Sequence, residues 1–250
     1  MHPVLFGPVK SFGFLLAVSF AVGIWFAVRR GRRAGVAVET IYDLSFVILV
    51  SSLIGVRAAY VVTHLSQFAG HPWRVFAFNE GGLTLYGGLV LAIAASWVFC
   101  RRRRLPFLRA ADLMLPSVAL GIGITRIGCY LGGCCFGQPC DLPWAVHFPS
   151  GAPATDLFGS AGVHPAQLYS SAGGFLIFGL LLWWERRSAR LGETLGRFLL
   201  LYGLQRFLVD FVRYYEPSQR LLFGWSNNQW FSLGFAAVGV LVIARAARRR

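Results

Sequence analysis

The chain has 250 residues, of which 56% are hydrophobic and only 14% charged, and its mean hydropathy is +0.59. That is too apolar for a soluble domain of this length and describes a polytopic membrane protein. The formal net charge of +14 would suit nucleic acid, but the basic residues sit in short clusters between apolar runs, with no aromatic-basic platform, so orientation in a bilayer accounts for them instead.

Seven apolar runs of spanning length follow one another: residues 11–28, 41–63, 83–100, 111–126, 167–184, 195–212 and 229–244. About 20 residues cross a hydrocarbon core. The first run lacks a basic n-region and a small-residue cleavage site, so it is expected to be a retained helix and not a removed signal peptide. The second carries Arg57, and the third contains Tyr86 just before the pair Gly87-Gly88. The fourth is short and is expected to continue into the stretch Thr125 to Cys140, which reads T-R-I-G-C-Y-L-G-G-C-C-F-G-Q-P-C. Residues 139–164, rich in Gly, Pro, Ala and Asp, are expected to form an outer loop, and His164-Pro165 opens the fifth run. The glycine pairs Gly87-Gly88 and Gly173-Gly174, and Gly128 with Gly132, are expected to let helices approach closely in lipid. Trp144, Trp183, Trp184, Trp225 and Trp230 lie near the ends of runs and read as an interfacial belt.

The basic clusters orient the runs. Arg29 to Arg33, Arg101 to Arg109, Arg186 to Arg197 and Arg245 to Arg250 together hold 17 of the 24 Lys and Arg residues. With seven spans, all four clusters fall on one side. The expected fold is therefore an all-α membrane protein of seven transmembrane helices in one domain, N-terminus outside and C-terminus cytoplasmic.

That topology puts Arg57 in the outer half of the second helix, Arg126 at the outer end of the fourth, Arg206 near the middle of the sixth and Arg213 at its outer end. A charge at such depth is costly unless it meets a partner, a cavity or the interface. Asp210 stands one turn from Arg206 and offers it an ion pair. As a group, however, the four arginines suit an anion site, because guanidinium forks bind phosphate bidentately and stay charged when desolvated. A lipid phosphate is the anion found at that depth.

Four of the five cysteines, Cys129, Cys134, Cys135 and Cys140, share the outer-facing stretch. An oxidising exterior permits disulfides there, although adjacent Cys134 and Cys135 are poor partners for one another. A four-thiolate zinc site is usually built from C-x2-C knuckles, a spacing absent here, and small packed free residues are the third reading.

The chain resembles the bacterial prolipoprotein diacylglyceryl transferase family nearly end to end. The resemblance rests on His2-Pro3, Gly55-Val56-Arg57 with Ala58-Ala59-Tyr60, the segment from Gly81-Gly82-Leu83-Thr84 through Tyr86 to Leu89, and Ala111-Asp112. It continues through Arg126-Ile127-Gly128, Gly133 to Gly137, His164 to Tyr169, and Tyr202 to Arg206 with Asp210 to Arg213. It implies transfer of a diacylglyceryl group from phosphatidylglycerol to the lipobox cysteine thiol of a prolipoprotein signal peptide, in the bacterial plasma (inner) membrane, without metal or organic cofactor. By position, Arg126 matches the family's phosphatidylglycerol-binding arginine, Arg206 its essential penultimate-helix arginine, and Tyr202 a tyrosine of the same set. Arg57, Arg213, Gly128, Gly137 and His164 are expected to assist in substrate binding. For His164 a capping or interface role is the competing reading.

The chain departs from the family where Tyr86 stands for histidine, Cys129 for asparagine, Cys134 for glutamate and Phe12 for a tyrosine. Tyr86 is a candidate base, yet a phenol with a pKa of about 10 is a poor one unless cations lower it; the competing readings are that Tyr86 positions substrate or is structural, and that the arginine cluster lowers the pKa of the substrate thiol without a dedicated base. The rival readings are a non-catalytic lipid- or lipoprotein-binding relative with the same fold, and a redox or metal membrane protein using the Cys129 to Cys140 cluster.

Overall fold

A computed structural model describes residues 4–6, 9–65, 68, 73, 75, 85–187, 190–216, 219 and 221–248. His2-Pro3, Gly81 to Thr84, His71, Arg74 and Arg220 lie outside them. The order is a two-stranded antiparallel ribbon, β1 Val4–Phe6 and β2 Val9–Lys10, then α1 Ser11–Arg33, α2 Val38–Thr63, α3 Leu85–Arg102, α4 Phe107–Leu131, α5 Pro153–Phe158, α6 Ala166–Glu185, α7 Glu193–Val212 and α8 Asn227–Arg248. Every expected run is matched by a helix, and α5 is an added short one inside residues 139–164. By length and composition α1, α2, α4, α6 and α8 are apolar and long enough to cross a membrane. In lipid every backbone N–H and C=O must be satisfied within its own segment, which is why such runs become helices.

Two compact units make up the chain: residues 1–27 with 111–250, and residues 28–110. In the second unit α2 and α3 meet on their small residues. A Cβ on Gly87 would collide with the Gly55 carbonyl and the Ala59 side chain, and one on Gly88 would lie 2.5 Å from Val56 Cγ1. At the end of this unit that carries the arginine clusters Arg103 pairs with Asp43 at 2.6 Å, and the Arg109 guanidinium donates to the Ala34 carbonyl.

The first unit uses the same device. A Cβ on Gly128 would stand 3.2 Å from Leu15 Cβ of α1, and one on Gly174 of α6 would stand 2.7 Å from the Gly123 nitrogen of α4. Gly203 and Gly239 let α7 and α8 touch backbone to backbone, with ideal Cβ positions 2.5 Å from the Ser232 carbonyl and from the Leu200 nitrogen respectively. Between helices lipid supplies no hydrophobic drive, so contact of this closeness is the main source of association. Asp112, near the start of α4, accepts from the Gly192 and Leu195 N–H groups at 2.5 and 2.8 Å. Its carboxylate thereby caps α7 at the positive end of the helix dipole.

Candidate active site

The end of the first unit where α4 stops is built on one sharp exit from a helix. α4 carries Arg126 on its last turns and stops at Leu131. Gly133 then adopts φ +71° and Cys135, not a glycine, φ +63°, a left-handed conformation that costs an L-residue about 1–2 kcal/mol. The reversal folds the loop back on the helix: the Cys134 N–H donates to the Cys129 carbonyl at 3.1 Å. The sulfurs of Cys129, Cys134 and Cys135 all come within 4.8 Å of one another. All five cysteines are free thiols, and Cys140 stands apart from the trio with its N–H on the Gly162 carbonyl at 2.9 Å.

The next residues are clamped on both sides. Gly137 donates to the His164 carbonyl at 2.9 Å, His164 to Gln138 at 3.0 Å, Gln138 to Val212 at 2.8 Å and Tyr214 to Phe136 at 3.2 Å. Gly137 is the wedge point, because a Cβ there would sit 2.5 Å from His164 Cβ and 2.6 Å from the carbonyl oxygens of both His164 and Val212. Behind the clamp lies a small aromatic core of Phe136, Phe148, Ala152, Ala154 and Val163, against which Phe158 and Tyr214 pack. Residues 139–164 are thus a folded cap with its own core. The expectation of a plain loop missed this because its apolar residues are too scattered in sequence to show a period.

The clamp brings the end of α7 to the thiols. Arg126 lies within electrostatic reach of all three sulfurs and of Tyr202, which stacks on Phe198 with ring centroids 5.6 Å apart. Cys135 is held well below the usual thiol range, first by hydrogen bonds with the Cys129 and Cys134 thiols and then by the charges of Arg213 and Arg126. Cys134 is pushed up by its hydrogen bonds with Cys129 and Cys135 and by burial. Gln167, buried at the start of α6, fixes the loop by donating to the Cys134 carbonyl at 2.7 Å.

Arg206 has a different setting. It pairs with Asp210 at 3.1 Å, and its other terminal nitrogen donates to the Tyr215 hydroxyl at 2.7 Å. That hydroxyl donates to Asp210 at 2.9 Å and accepts from Asn228 at 3.0 Å. Burial raises the Tyr215 phenol above its ordinary range, against the lowering influence of Arg206 and Arg213. Arg213 stacks over the Tyr215 ring at 5.4 Å. The ion pair foreseen from the four-residue spacing is present, but Tyr215 and Asn228 carried no sequence signal, lying beyond the end of α7 and on the next helix.

The expected site residues therefore divide. Arg126, Arg213 and Tyr202 gather around the thiol loop, and Arg206 joins Arg213 through Asp210 and Tyr215. Gly128 packs on α1 and Gly137 in the clamp, both filling backbone roles. His164 holds the clamp by its main chain while Nδ1 faces the Tyr169 hydroxyl at 3.4 Å, and Pro165 precedes α6 as its N-cap. In the other unit, Arg57 is buried, donates from Nε to the Val75 carbonyl at 2.8 Å and lies 5.8 and 5.6 Å from the Tyr60 and Phe68 ring centroids. Tyr86, half-buried, stands in the first turn of α3.

A family model described as prolipoprotein diacylglyceryl transferase matches residues 3–245. Among curated relatives, the phosphatidylglycerol–prolipoprotein diacylglyceryl transferase of Vibrio cholerae serotype O1 is 36% identical over 260 aligned residues, covering 100% of this chain and 93% of the relative. The protein of the same name from Idiomarina loihiensis is 32% identical, with 100% and 94% covered. That from Clostridium tetani is 28% identical over 246 residues, with 97% and 96% covered.

Proposed function

The chain belongs to the prolipoprotein diacylglyceryl transferase family, and from that we propose that it moves the diacylglyceryl group of phosphatidylglycerol onto the lipobox cysteine of prolipoproteins. The family match over residues 3–245 carries the reading. It is a multi-pass membrane protein. Seven spans form one domain in the bacterial plasma membrane, N-terminus outside, and the signal helix of the precursor presents its cysteine from the outer face.

The reaction needs a thiolate, from a cysteine whose free pKa is about 8.5, to attack the glyceryl carbon next to the phosphate. A carbon–sulfur bond forms, the carbon–oxygen bond to phosphate breaks, and its electron pair leaves on glycerol phosphate. Charge grows on the leaving group, so fixed cations beside the bridging phosphate lower the barrier, an effect that is often the largest in such sites. Arg126 is the cation best supported for this role, being half-buried near Tyr202 with no carboxylate ion pair among the described residues. Arg213 assists it. Arg206 already answers Asp210 and Tyr215, so it acts on phosphate with only part of its charge uncommitted. Gly128, Gly137, Tyr202 and His164 shape the surroundings of the lipid, while Arg57 and Tyr86 enter the proposal from sequence alone.

The test is to incubate purified protein in phosphatidylglycerol micelles with a lipobox peptide and to follow the mass of the peptide. A diacylglyceryl gain is expected, and Arg126→Ala should slow it by about 10²–10³-fold. No gain beside an active control enzyme, from a folded protein, would leave a lipid- or lipoprotein-binding relative.

A further inference from the structure

The three sulfurs of Cys129, Cys134 and Cys135 are not used by the transfer chemistry above, yet they lie within 4.8 Å of one another. Three mutual neighbours exceed the two that a disulfide joins and are one short of a closed four-ligand metal site. They are the number that leaves a tetrahedral ion one open position. Cys129 is buried at the end of α4, and Cys134 and Cys135 are half-buried, so an ion has a route in. The loop is held from behind by Gln167 on the Cys134 carbonyl and by the Gly137 clamp, which keeps the set assembled before any ligand arrives.

Charge selects the ion. Three thiolates around a divalent cation carry a net −1, and a fourth thiolate makes it −2, which the guanidinium charges of Arg126 and Arg213 offset. Without such offsetting, a half-buried anionic complex would be strongly unfavourable. Thiolate-only sites prefer soft d10 ions over magnesium, calcium or manganese.

We propose that Cys129, Cys134 and Cys135 form a three-thiolate site for zinc, with the fourth position open to an incoming thiol. For the identity of that thiol the inference rests on the transferase reading, and for metal binding it does not. Coordination releases the thiol proton to water. The metal-held sulfur then forms the bond to the glyceryl carbon as glycerol phosphate leaves with the carbon–oxygen electron pair, and the neutral thioether, a weaker ligand, dissociates. This supplies the deprotonation for which Tyr86 is poorly suited.

The probe is cobalt(II), added to the reduced, metal-free protein in detergent. A thiolate-to-cobalt charge-transfer band should saturate at one equivalent and be bleached by zinc. Cys134→Ser and Cys135→Ser should each weaken binding by about tenfold or more, whereas Cys140→Ser leaves it unchanged. A lipobox peptide should intensify the band, and its Cys→Ser version should not. No band with the unaltered protein, or a band indifferent to both Cys134→Ser and Cys135→Ser, overturns the site. A peptide that leaves the spectrum unchanged, or full transfer by chelated protein, overturns the open position while the transferase reading stands. A cobalt site in a protein that transfers nothing in any metal state sinks the transferase reading alone.

Discussion

Arg126 and Arg206 look alike in sequence, each an arginine in a helix of membrane length, but their partners separate them. The side chain of Arg206 is 11% exposed and that of Asp210 0% exposed, and Tyr215 ties the two together. Hydrogen bonds to charged groups contribute about 1.5–3 kcal/mol. Tyr215→Phe is therefore expected to lower unfolding stability in micelles by about that amount, and Arg206→Lys, which lacks the fork needed to reach both partners, should do the same. Unchanged stability in Tyr215→Phe would show that the hydroxyl does not hold the pair. The Arg206 to Asp210 pairing was legible because four residues make one helical turn. Tyr215 was not, because nothing periodic marks a residue beyond a helix end that folds back onto it.

Between elements, the contact that positions the thiol loop is Gly137 lodged between His164 and Val212. Two of the three atoms a Cβ would meet are backbone carbonyl oxygens at 2.6 Å, and backbone cannot swing aside as a side chain can. Gly137→Ala is expected to cost about 1–3 kcal/mol of stability and to reduce transfer as well, since the same clamp sets Arg213 beside Cys135. The comparison is Gly179→Ala on α6, where nothing lies within 4 Å; there the change should be neutral or stabilise by up to about 1 kcal/mol. Equal melting temperatures for the two variants would argue against the clamp. Asp112 makes the matching case at the other end of α7: Asp112→Ala removes the cap on Gly192 and Leu195 and should lower stability by about 1–2 kcal/mol, read by thermal unfolding. The glycines were visible in sequence as close-packing points, but which of them touch helix and which touch loop was not.

For the whole molecule, the basic clusters make a statement about sidedness. If they lie inside, a cysteine placed at Ala37, between α1 and α2, should resist a membrane-impermeant maleimide in intact cells, and one at Ser150, just ahead of α5, should react. The reverse pattern would invert the orientation. Membrane character and helix positions came through from sequence because lipid forces each apolar segment to satisfy its own backbone, so length and composition specify a helix with little help from its neighbours. Family membership was readable for a similar reason, its motifs being short and local. Which cations face which thiols was decided only in three dimensions. The meeting of Cys135 with Arg213 spans residues far apart in the chain, and it exists because a left-handed turn after α4, a glycine without a side chain and the return of residues 163–164 bring three backbone segments within hydrogen-bonding distance.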